Sequence, residues 1–129
     1  MNVLAQVLLW VAGLGYAGFG LAFLWAPLRT MALAGIALEG AVAATELRAF
    51  YGGLELALGA LIVAAAVLPG RLRDGLVLTL ASYGAIGGVR LVSMLASGAD
   101  ASFLRYAAVV ELGLAACAGA LLWATRAPG

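Results

Sequence analysis

The sequence contains no lysine and no histidine, and only 10% of its 129 residues are charged. In an average soluble domain, about a quarter of all residues are charged. Without histidine, the chain is a poor candidate for a haem protein or for a histidine-bound metal site. Its formal net charge of +1 gives no electrostatic reason to expect a nucleic acid partner. We therefore expect no metal, no cofactor and no nucleic acid.

The single cysteine, Cys117, excludes an intrachain disulfide and a thiolate-bound metal cluster. It lies in an apolar segment, where a free cysteine usually packs as a small hydrophobic residue; a reactive thiol is the alternative. The sequence also lacks a His-Glu-x-x-His zinc motif, a nucleophile elbow and a glycine-rich phosphate loop. These absences favour a binding role and leave an enzymatic role open.

Apolar residues make up 66% of the chain, more than a small soluble domain can bury. A helix needs about 20 residues to cross about 30 Å of hydrocarbon, and four stretches have this length. In lipid the backbone must satisfy its own hydrogen bonds, so these spans are helices. The expected spans are residues 3–26, 46–68, 76–97 and 103–125. We predict an all-α integral membrane four-helix bundle that forms one domain over residues 1–129.

The orientation of the bundle depends on few charges. The first basic residue is Arg29, so the N-terminal span lacks the positive segment of a signal peptide, and we expect it to be retained. With both termini in the cytoplasm, Arg71, Arg73 and Arg126 lie on that side, while Arg29 and Arg105 lie on the other. This slight positive-inside bias favours cytoplasmic termini.

The connection over residues 27–45 is apolar but too short to span the bilayer. Pro27 closes the first helix. An interfacial or re-entrant stretch is the simpler interpretation of this connection, and a gating element is the alternative. The second helix begins near Glu46 or earlier, near Ala41.

Two of the spans share a weak pattern. Phe50-Tyr-Gly-Gly-Leu-Glu55 in the second span and Tyr106-Ala-Ala-Val-Val-Glu111 in the fourth both place an aromatic residue five positions before a glutamate. The protein would then consist of two related helical hairpins, arranged as a parallel repeat because each unit holds two spans. Chance similarity between helices rich in glycine, alanine and leucine is the alternative.

Apart from Glu46 and Arg105 near the span ends, the charged residues inside the predicted spans are Arg48, Glu55, Arg90 and Glu111. An unpaired charge at the bilayer centre costs at least about 2.5–3.5 kcal/mol, so these residues should face the bundle interior and pair. At 1.5 Å per residue, the last three lie about 10–14 Å below the same membrane surface. We predict that Arg90 pairs with Glu55, Glu111 or both. The spacing of Arg48 and Glu55 places both on one face of an α-helix, with Arg48 capping the set.

Tyrosines and glycines complete the predicted site. Tyr16, Tyr51 and Tyr83 would supply hydroxyl groups to the charged set. Small residues let membrane helices approach closely. The glycines expected at helix contacts are Gly52, Gly53, Gly84, Gly87 and Gly88.

The charged set has two interpretations. Intramembrane ionisable residues usually mark a functional site, here a polar pocket for a lipid headgroup, a small polar ligand or a proton. The alternative is an ion-pair network that fixes helix register. We expect membrane lipids as partners, with a hydrophobic small molecule, another membrane protein or a second copy of the chain as further candidates. An enzyme subunit or proton-coupled transporter would use Glu55 or Glu111 together with Arg90.

The run Glu46-Leu-Arg-Ala-Phe-Tyr-Gly-Gly-Leu-Glu-Leu-Ala-Leu-Gly59 resembles the signature of a bacterial family of small four-helix membrane proteins of unknown function. That family is similar to the wider DoxX-like group. The resemblance implies a four-helix fold and a bacterial inner membrane, with no established activity, because the group includes oxidoreductase subunits and assembly or cargo factors. The positions that match the signature are Arg48, Tyr51, Gly52, Gly53 and Glu55.

Overall fold

The computed structural model describes residues 2–126, which form five helices and, within this range, no strand. Residues 1 and 127–129 of the predicted domain lie outside the described part. The helices are α1 (Asn2–Trp25), α2 (Pro27–Leu33), α3 (Ala41–Val67), α4 (Leu72–Ser97) and α5 (Ser102–Ala124). All except α2 are long and apolar enough to cross a membrane. The predicted all-α membrane bundle is confirmed, and the chain has the character of a multi-pass integral membrane protein.

Glycine and proline set the helix ends. Pro27 opens α2 directly after α1, where its fixed φ suits a first helical position. Gly40 has a φ of +93°, which only glycine adopts readily, and α3 begins at the next residue. The second span therefore starts at Ala41, the earlier of the two expected starts. Gly98, with a φ of +71°, ends α4 in the left-handed conformation.

The middle of α3 is π-helical over Arg48–Leu54, between α-helical stretches at Ala41–Leu47 and Glu55–Val67. A π-helix hydrogen-bonds from residue i to i+5, so it takes more residues per turn than an α-helix. The spacing of Arg48 and Glu55 then no longer places them on one face, contrary to the α-helical expectation. Such segments are rare and frequently occur at functional sites.

The four spans pair into two hairpins, since α1 packs most extensively on α3, and α4 on α5. Glycines bring the backbones of α1 and α3 into contact. A Cβ atom at Gly59 would lie 2.6 Å from the Gly13 carbonyl oxygen, and one at Gly20 would lie 2.7 Å from the Leu56 nitrogen. The hairpin pairing agrees with the arrangement expected from the repeat, and the repeat itself stays a prediction.

The hairpins join through an apolar core in one half of the bundle. Leu9 and Ala12 of α1 are buried there with Ile62 of α3 and Leu76 of α4. Thr79, the only polar residue that is fully buried in the described part, donates from its hydroxyl to the Gly75 carbonyl at 2.8 Å. This half of the bundle therefore holds the two hairpins together.

The other half is open. Residues 41–54 of α3 pack on α1 and α2 and make at most slight contact with α4 or α5. We call the resulting space, between residues 41–54 of α3 and residues 85–104 of α4 and α5, the cleft. It lies in the half of the membrane where the sequence places the charged set.

The connection between α1 and α3 packs on the end of the first hairpin. Met31 of α2 is buried with Phe23 and Leu47, and Leu28 and Ala34 pack against them. The Thr30 hydroxyl donates to the Ala26 carbonyl at 2.7 Å. Helix α2 thus packs on the ends of α1 and α3, and the interfacial interpretation of this connection stays a prediction.

We expect Gly59→Ala to lower the melting temperature of the detergent-solubilised protein. Its methyl group would collide with the α1 backbone, and overpacking of this kind typically costs about 1–3 kcal/mol. Gly113→Ala is the matched control, because a Cβ atom at Gly113 meets nothing within 4 Å, and it should leave the melting temperature unchanged or slightly higher. Equal melting temperatures for the two variants would contradict the close approach of α1 and α3.

Candidate functional site

An ion pair joins α4 and α5 beside the cleft. Arg90 Nε donates to Glu111 Oε1 at 2.6 Å, and Arg90 Nη2 donates to Glu111 Oε2 at 3.1 Å. Two parallel bonds of this type are stronger and more directional than a single contact. Gly87 makes room for the pair, since a Cβ atom at Gly87 would lie 3.0 Å from Glu111 Cβ. Of the predicted partners, Glu111 binds Arg90 directly.

The pair is only partly covered by protein. The side chains of Arg90 and Glu111 remain 26% and 13% exposed, and no charged residue among residues 2–126 is fully buried. The expected buried Arg/Glu cluster is therefore a part-buried one. The physical reason is the divergence of the hairpins, which leaves the charged residues at the edge of the cleft and outside the close-packed core.

Glu55 lies on α3, directly after the π-helical stretch that borders the cleft. It is close enough to Arg90 and Glu111 to interact with both electrostatically. Its Oε2 atom is buried and has no hydrogen-bond partner in the described part of the chain. A buried polar atom without a partner is unusual in a native structure and calls for an explanation.

Two stacked tyrosines, Tyr16 and Tyr83, lie in the buried core of the bundle. The rings of Tyr16 and Tyr83 have centroids 4.2 Å apart and planes inclined by 25°. The Tyr83 hydroxyl donates to the Ala12 carbonyl at 2.6 Å, which connects α4 to α1. The buried Tyr16 hydroxyl makes no hydrogen bond of standard geometry within residues 2–126, but the Ser82 side chain lies beside it, and it interacts electrostatically with Glu55. The structure thus brings both tyrosines to the charged set.

Arg48 and Tyr51 differ in their position relative to the cleft. Arg48 Nε donates to the Leu24 carbonyl at 3.1 Å, so this side chain ties α3 to the end of α1 and does not cap the charged set. The Tyr51 ring packs on Phe23 at 4.9 Å, and Tyr51 is near enough to Arg90 to interact with it electrostatically. Tyr51 therefore belongs to the cleft, and Arg48 lies outside it because of the π-helical segment.

The predicted packing glycines fall into two groups, according to how close a Cβ atom at each position would lie to its neighbours. A Cβ atom at Gly52 would lie 2.8 Å from Leu24 Cδ2, closer than the 3.0 Å that separates a Cβ atom at Gly87 from Glu111 Cβ. At Gly53 and Gly84 the nearest atoms are 3.7 Å away, an ordinary contact distance, and at Gly88 nothing lies within 4 Å. Of the five predicted packing glycines, only Gly52 and Gly87 stand at positions where a Cβ atom would lie closer to a neighbour than an ordinary contact distance.

A pocket of about 570 Å³ lies along α4 and the start of α5, and Arg90 forms part of its wall. We call this pocket the groove; it is lined by Ala85, Ile86, Val89, Arg90, Ser93, Met94, Ala99 and Leu104. Ser93 follows Gly75 by about five helical turns and so lies on the same face of α4. Gly75 closely approaches Leu9 of α1 and Ala65 of α3. The groove therefore lies on the same face of α4 as Gly75. In the half of the bundle that contains the apolar core, this face packs on the first hairpin.

Sequence reasoning did not identify the groove or the ring of Phe103, which lies 5.9 Å from the Arg90 guanidinium carbon. A signal for the groove exists in the spacing of Ala85, Val89 and Ser93, which recur every four residues on one helix face. Among residues 2–126, no group of three or more His, Cys, Asp or Glu could hold a metal ion. The groove itself offers a ligand the neutralised Arg90 and the Ser93 hydroxyl among otherwise apolar side chains.

The chain matches one family over nearly its whole length. A model of DUF4345, a domain of unknown function, matches residues 4–123. Comparison with curated proteins and with solved structures finds no match. The matched range includes all four membrane-capable helices and every residue of the cleft. The chain therefore belongs to the DUF4345 family.

Proposed function

We propose that the protein binds an amphipathic, lipid-like molecule in the cleft and acts as a binding or accessory protein of the membrane. The observation that carries this proposal is the groove, which runs along α4 to the Arg90–Glu111 pair. Its volume of about 570 Å³ falls in the usual range of small-molecule pockets, roughly 300–1,000 Å³. Such pockets are mainly apolar and contain a few polar groups, as this groove does.

The position of the groove supports entry from the bilayer. Val89, which lines it, is 70% exposed and lies within a membrane-capable helix. A ligand dissolved in the bilayer could thus slide its apolar part along Val89 and Met94. Its polar end would then reach Arg90, whose electrostatic neighbours are Glu111, Tyr51 and Glu55.

The same geometry favours binding over catalysis. Arg90 and Glu111 satisfy each other through two hydrogen bonds, which leaves Glu55 as the one carboxylate of the set without a direct partner in the described part. A general acid and a general base must each be within reach of a reacting group. A paired Glu111 is poorly suited to that role. The unpartnered Glu55 favours proton-coupled transport as a second candidate function, and a second copy of the chain would be needed because four helices are few for alternating access.

We expect the double variant Arg90→Met/Glu111→Leu to remain folded and to lose co-purifying amphiphile. Removing both charges leaves no unpaired ion, whereas Arg90→Met alone leaves Glu111 uncompensated. The single variant should be the less stable of the two, by less than the 3–5 kcal/mol typical of a fully buried pair. Native mass spectrometry of the detergent-solubilised protein measures the bound molecules, and thermal unfolding measures the stability.

The matched control for the double variant is Arg71→Gln/Asp74→Asn, which removes an exposed ion pair of 3.1 Å at the other side of the membrane. It should keep both the fold and any bound amphiphile. If the double variant at Arg90 and Glu111 retains its amphiphile, the binding proposal is contradicted. The ion pair would then have only a structural role.

We also propose that the chain lies in a bacterial inner membrane with both termini in the cytoplasm. The positive-inside bias of Arg71, Arg73 and Arg126 supports this orientation. The similarity of the motif over residues 46–59 to the DoxX-like group supports a bacterial source, and kinship with that group is part of the proposal.

In a Cys117→Ala background, a membrane-impermeant maleimide should label Ser102→Cys in intact cells and should label Thr125→Cys only after lysis. Ser102 begins α5 and Thr125 directly follows its end, so the two positions lie at opposite ends of one span. The reverse labelling pattern would place the termini outside the cytoplasm.

A further inference from the structure

We infer that the groove binds the ester carbonyl group of a membrane glycerolipid, which Arg90 and Ser93 hold by hydrogen bonds. This inference rests on the proposed function, since it concerns the ligand of the same site. It follows from two hydrogen-bond donors that line the groove and have no partner in the described part of the chain.

Arg90 keeps a donor free after it has paired with Glu111. Its Nε and Nη2 atoms bind the two carboxylate oxygens, whereas Nη1 makes no hydrogen bond within residues 2–126. A guanidinium group carries five N–H donors, so Nη1 still has two hydrogens to donate. Nη1 is also accessible, because the buried side-chain atoms that make no hydrogen bond in that range are Glu55 Oε2 and the Tyr16 hydroxyl alone. Since Arg90 lines the groove, a molecule in the groove reaches this donor.

Ser93 is the exception among the serine and threonine residues of α4. The hydroxyl groups of Thr79, Ser82 and Ser97 each donate to the carbonyl oxygen four residues earlier, at 2.7–2.8 Å. Bonding of this kind satisfies a hydroxyl group inside a helix. The Ser93 hydroxyl makes no hydrogen bond within residues 2–126, and Ser93 is exposed and lines the groove. Because Ser93 follows Arg90 by three residues, both donors lie on one face of α4.

The ligand group that fits two free donors is an uncharged acceptor. A carbonyl oxygen has two lone pairs and no hydrogen of its own, so it accepts from Arg90 Nη1 and from the Ser93 hydroxyl together. An ammonium group only donates and would satisfy neither nitrogen nor hydroxyl hydrogens. A carboxylate or phosphate would place a negative charge beside Glu111, which already neutralises Arg90.

The depth of the two donors matches the ester groups of a glycerolipid. Helix α4 has 26 residues and is therefore about 39 Å long, close to the thickness of a bilayer with its headgroup regions. Ser93 and Arg90 precede the end of α4 at Ser97 by about 6 and 10 Å, at 1.5 Å per residue. This level is where the interfacial region, about 5–8 Å thick on each side, meets the hydrocarbon. The ester groups, which join the head of a lipid to its acyl chains, lie at the same boundary.

The rest of the groove fits an acyl chain and does not select a headgroup. Ala85 and Ile86 line it at a deeper level than Arg90, so an acyl chain continues along apolar side chains. At the shallow end, Asp100 and Arg105 pair with each other at 3.2 Å and leave no net charge. We therefore expect the linkage between head and chain, and not the head itself, to determine binding.

The test compares dipalmitoyl phosphatidylcholine with its dihexadecyl ether analogue, which has the same head and chain length but no carbonyl oxygen. Each lipid is titrated into the full chain in dodecyl maltoside, and native mass spectrometry measures its dissociation constant. We expect the ester lipid to bind about tenfold more tightly than the ether lipid, as the loss of one or two hydrogen bonds would cause. The corresponding pair of phosphatidylglycerols should give the same ratio.

Serine variants identify the donor. Ser93→Ala removes one of the two donors, so it should weaken binding of the ester lipid alone and lower the ratio to about threefold. Ser82→Ala is the matched control on the same helix, because the Ser82 hydroxyl already donates to the Leu78 carbonyl and does not line the groove. It should keep the tenfold ratio. Melting temperatures confirm that both variants are folded.

Tryptophan substitutions locate the bound lipid. Val89 and Val109 are 70% and 73% exposed, and of the two only Val89 lines the groove. Val89→Trp should fill the groove and weaken the binding of both lipids. Val109→Trp adds the same bulk outside the groove and should change neither dissociation constant.

The outcomes separate the two proposals. If Val89→Trp weakens binding but the ester and ether lipids bind the wild-type chain equally, the carbonyl inference is overturned and the binding function remains. A preference for the ester lipid that Ser93→Ala leaves unchanged, or dissociation constants that follow the headgroup and not the linkage, also overturn the carbonyl inference alone. If Val89→Trp binds both lipids as tightly as the wild-type chain does, the groove holds no lipid and both proposals are overturned.

Discussion

In hydrocarbon, neither Arg90 nor Glu111 is tolerable without the other, and their pairing determines how the open half of the bundle is built. Their two hydrogen bonds hold the end of α4 and the first half of α5 together without any contact from the first hairpin. Gly87 lets the two helices approach at that level. Because the second hairpin satisfies its own charges, the first hairpin is free to diverge from it, and the cleft exists.

The closed half depends on contacts of a different kind. There, glycines bring α1 against α3, and a buried core with Leu9, Ile62 and Leu76 joins the hairpins. Lipid offers no hydrophobic drive for helices to associate, so close backbone packing carries most of the association energy. The bundle is thus clamped at one end by packing and left open at the other, where its polar residues lie.

The sequence predicts the parts of this architecture that depend on local composition or on position along one helix. Hydropathy determines the length of each span, and the helical rise determines the depth of Arg90 and Glu111. Both features can therefore be predicted from the sequence. The position of Arg48 cannot be predicted in this way. A π-helical segment rotates the residues before it relative to Glu55, and hydropathy does not reveal such a segment. The groove was out of reach for another reason. It depends on how far the hairpins diverge, which is set by contacts between distant segments.

The polar groups of the open half fall into two classes, and the division itself argues for a ligand. Arg48, Arg90, Glu111 and the Tyr83 hydroxyl all bind protein atoms, and each of these contacts joins two helices. Glu55 Oε2 is buried without a partner in the described part of the chain, and the buried Tyr16 hydroxyl has the Ser82 side chain beside it. A network that served only to fix helix register would place its costliest groups in contacts, because each unsatisfied one lowers stability. Glu55 and Tyr16 lie on different helices and interact with each other electrostatically. Glu55 therefore stands apart from the paired charges, and its unsatisfied oxygen is the feature of the charged set that fixing helix register does not explain.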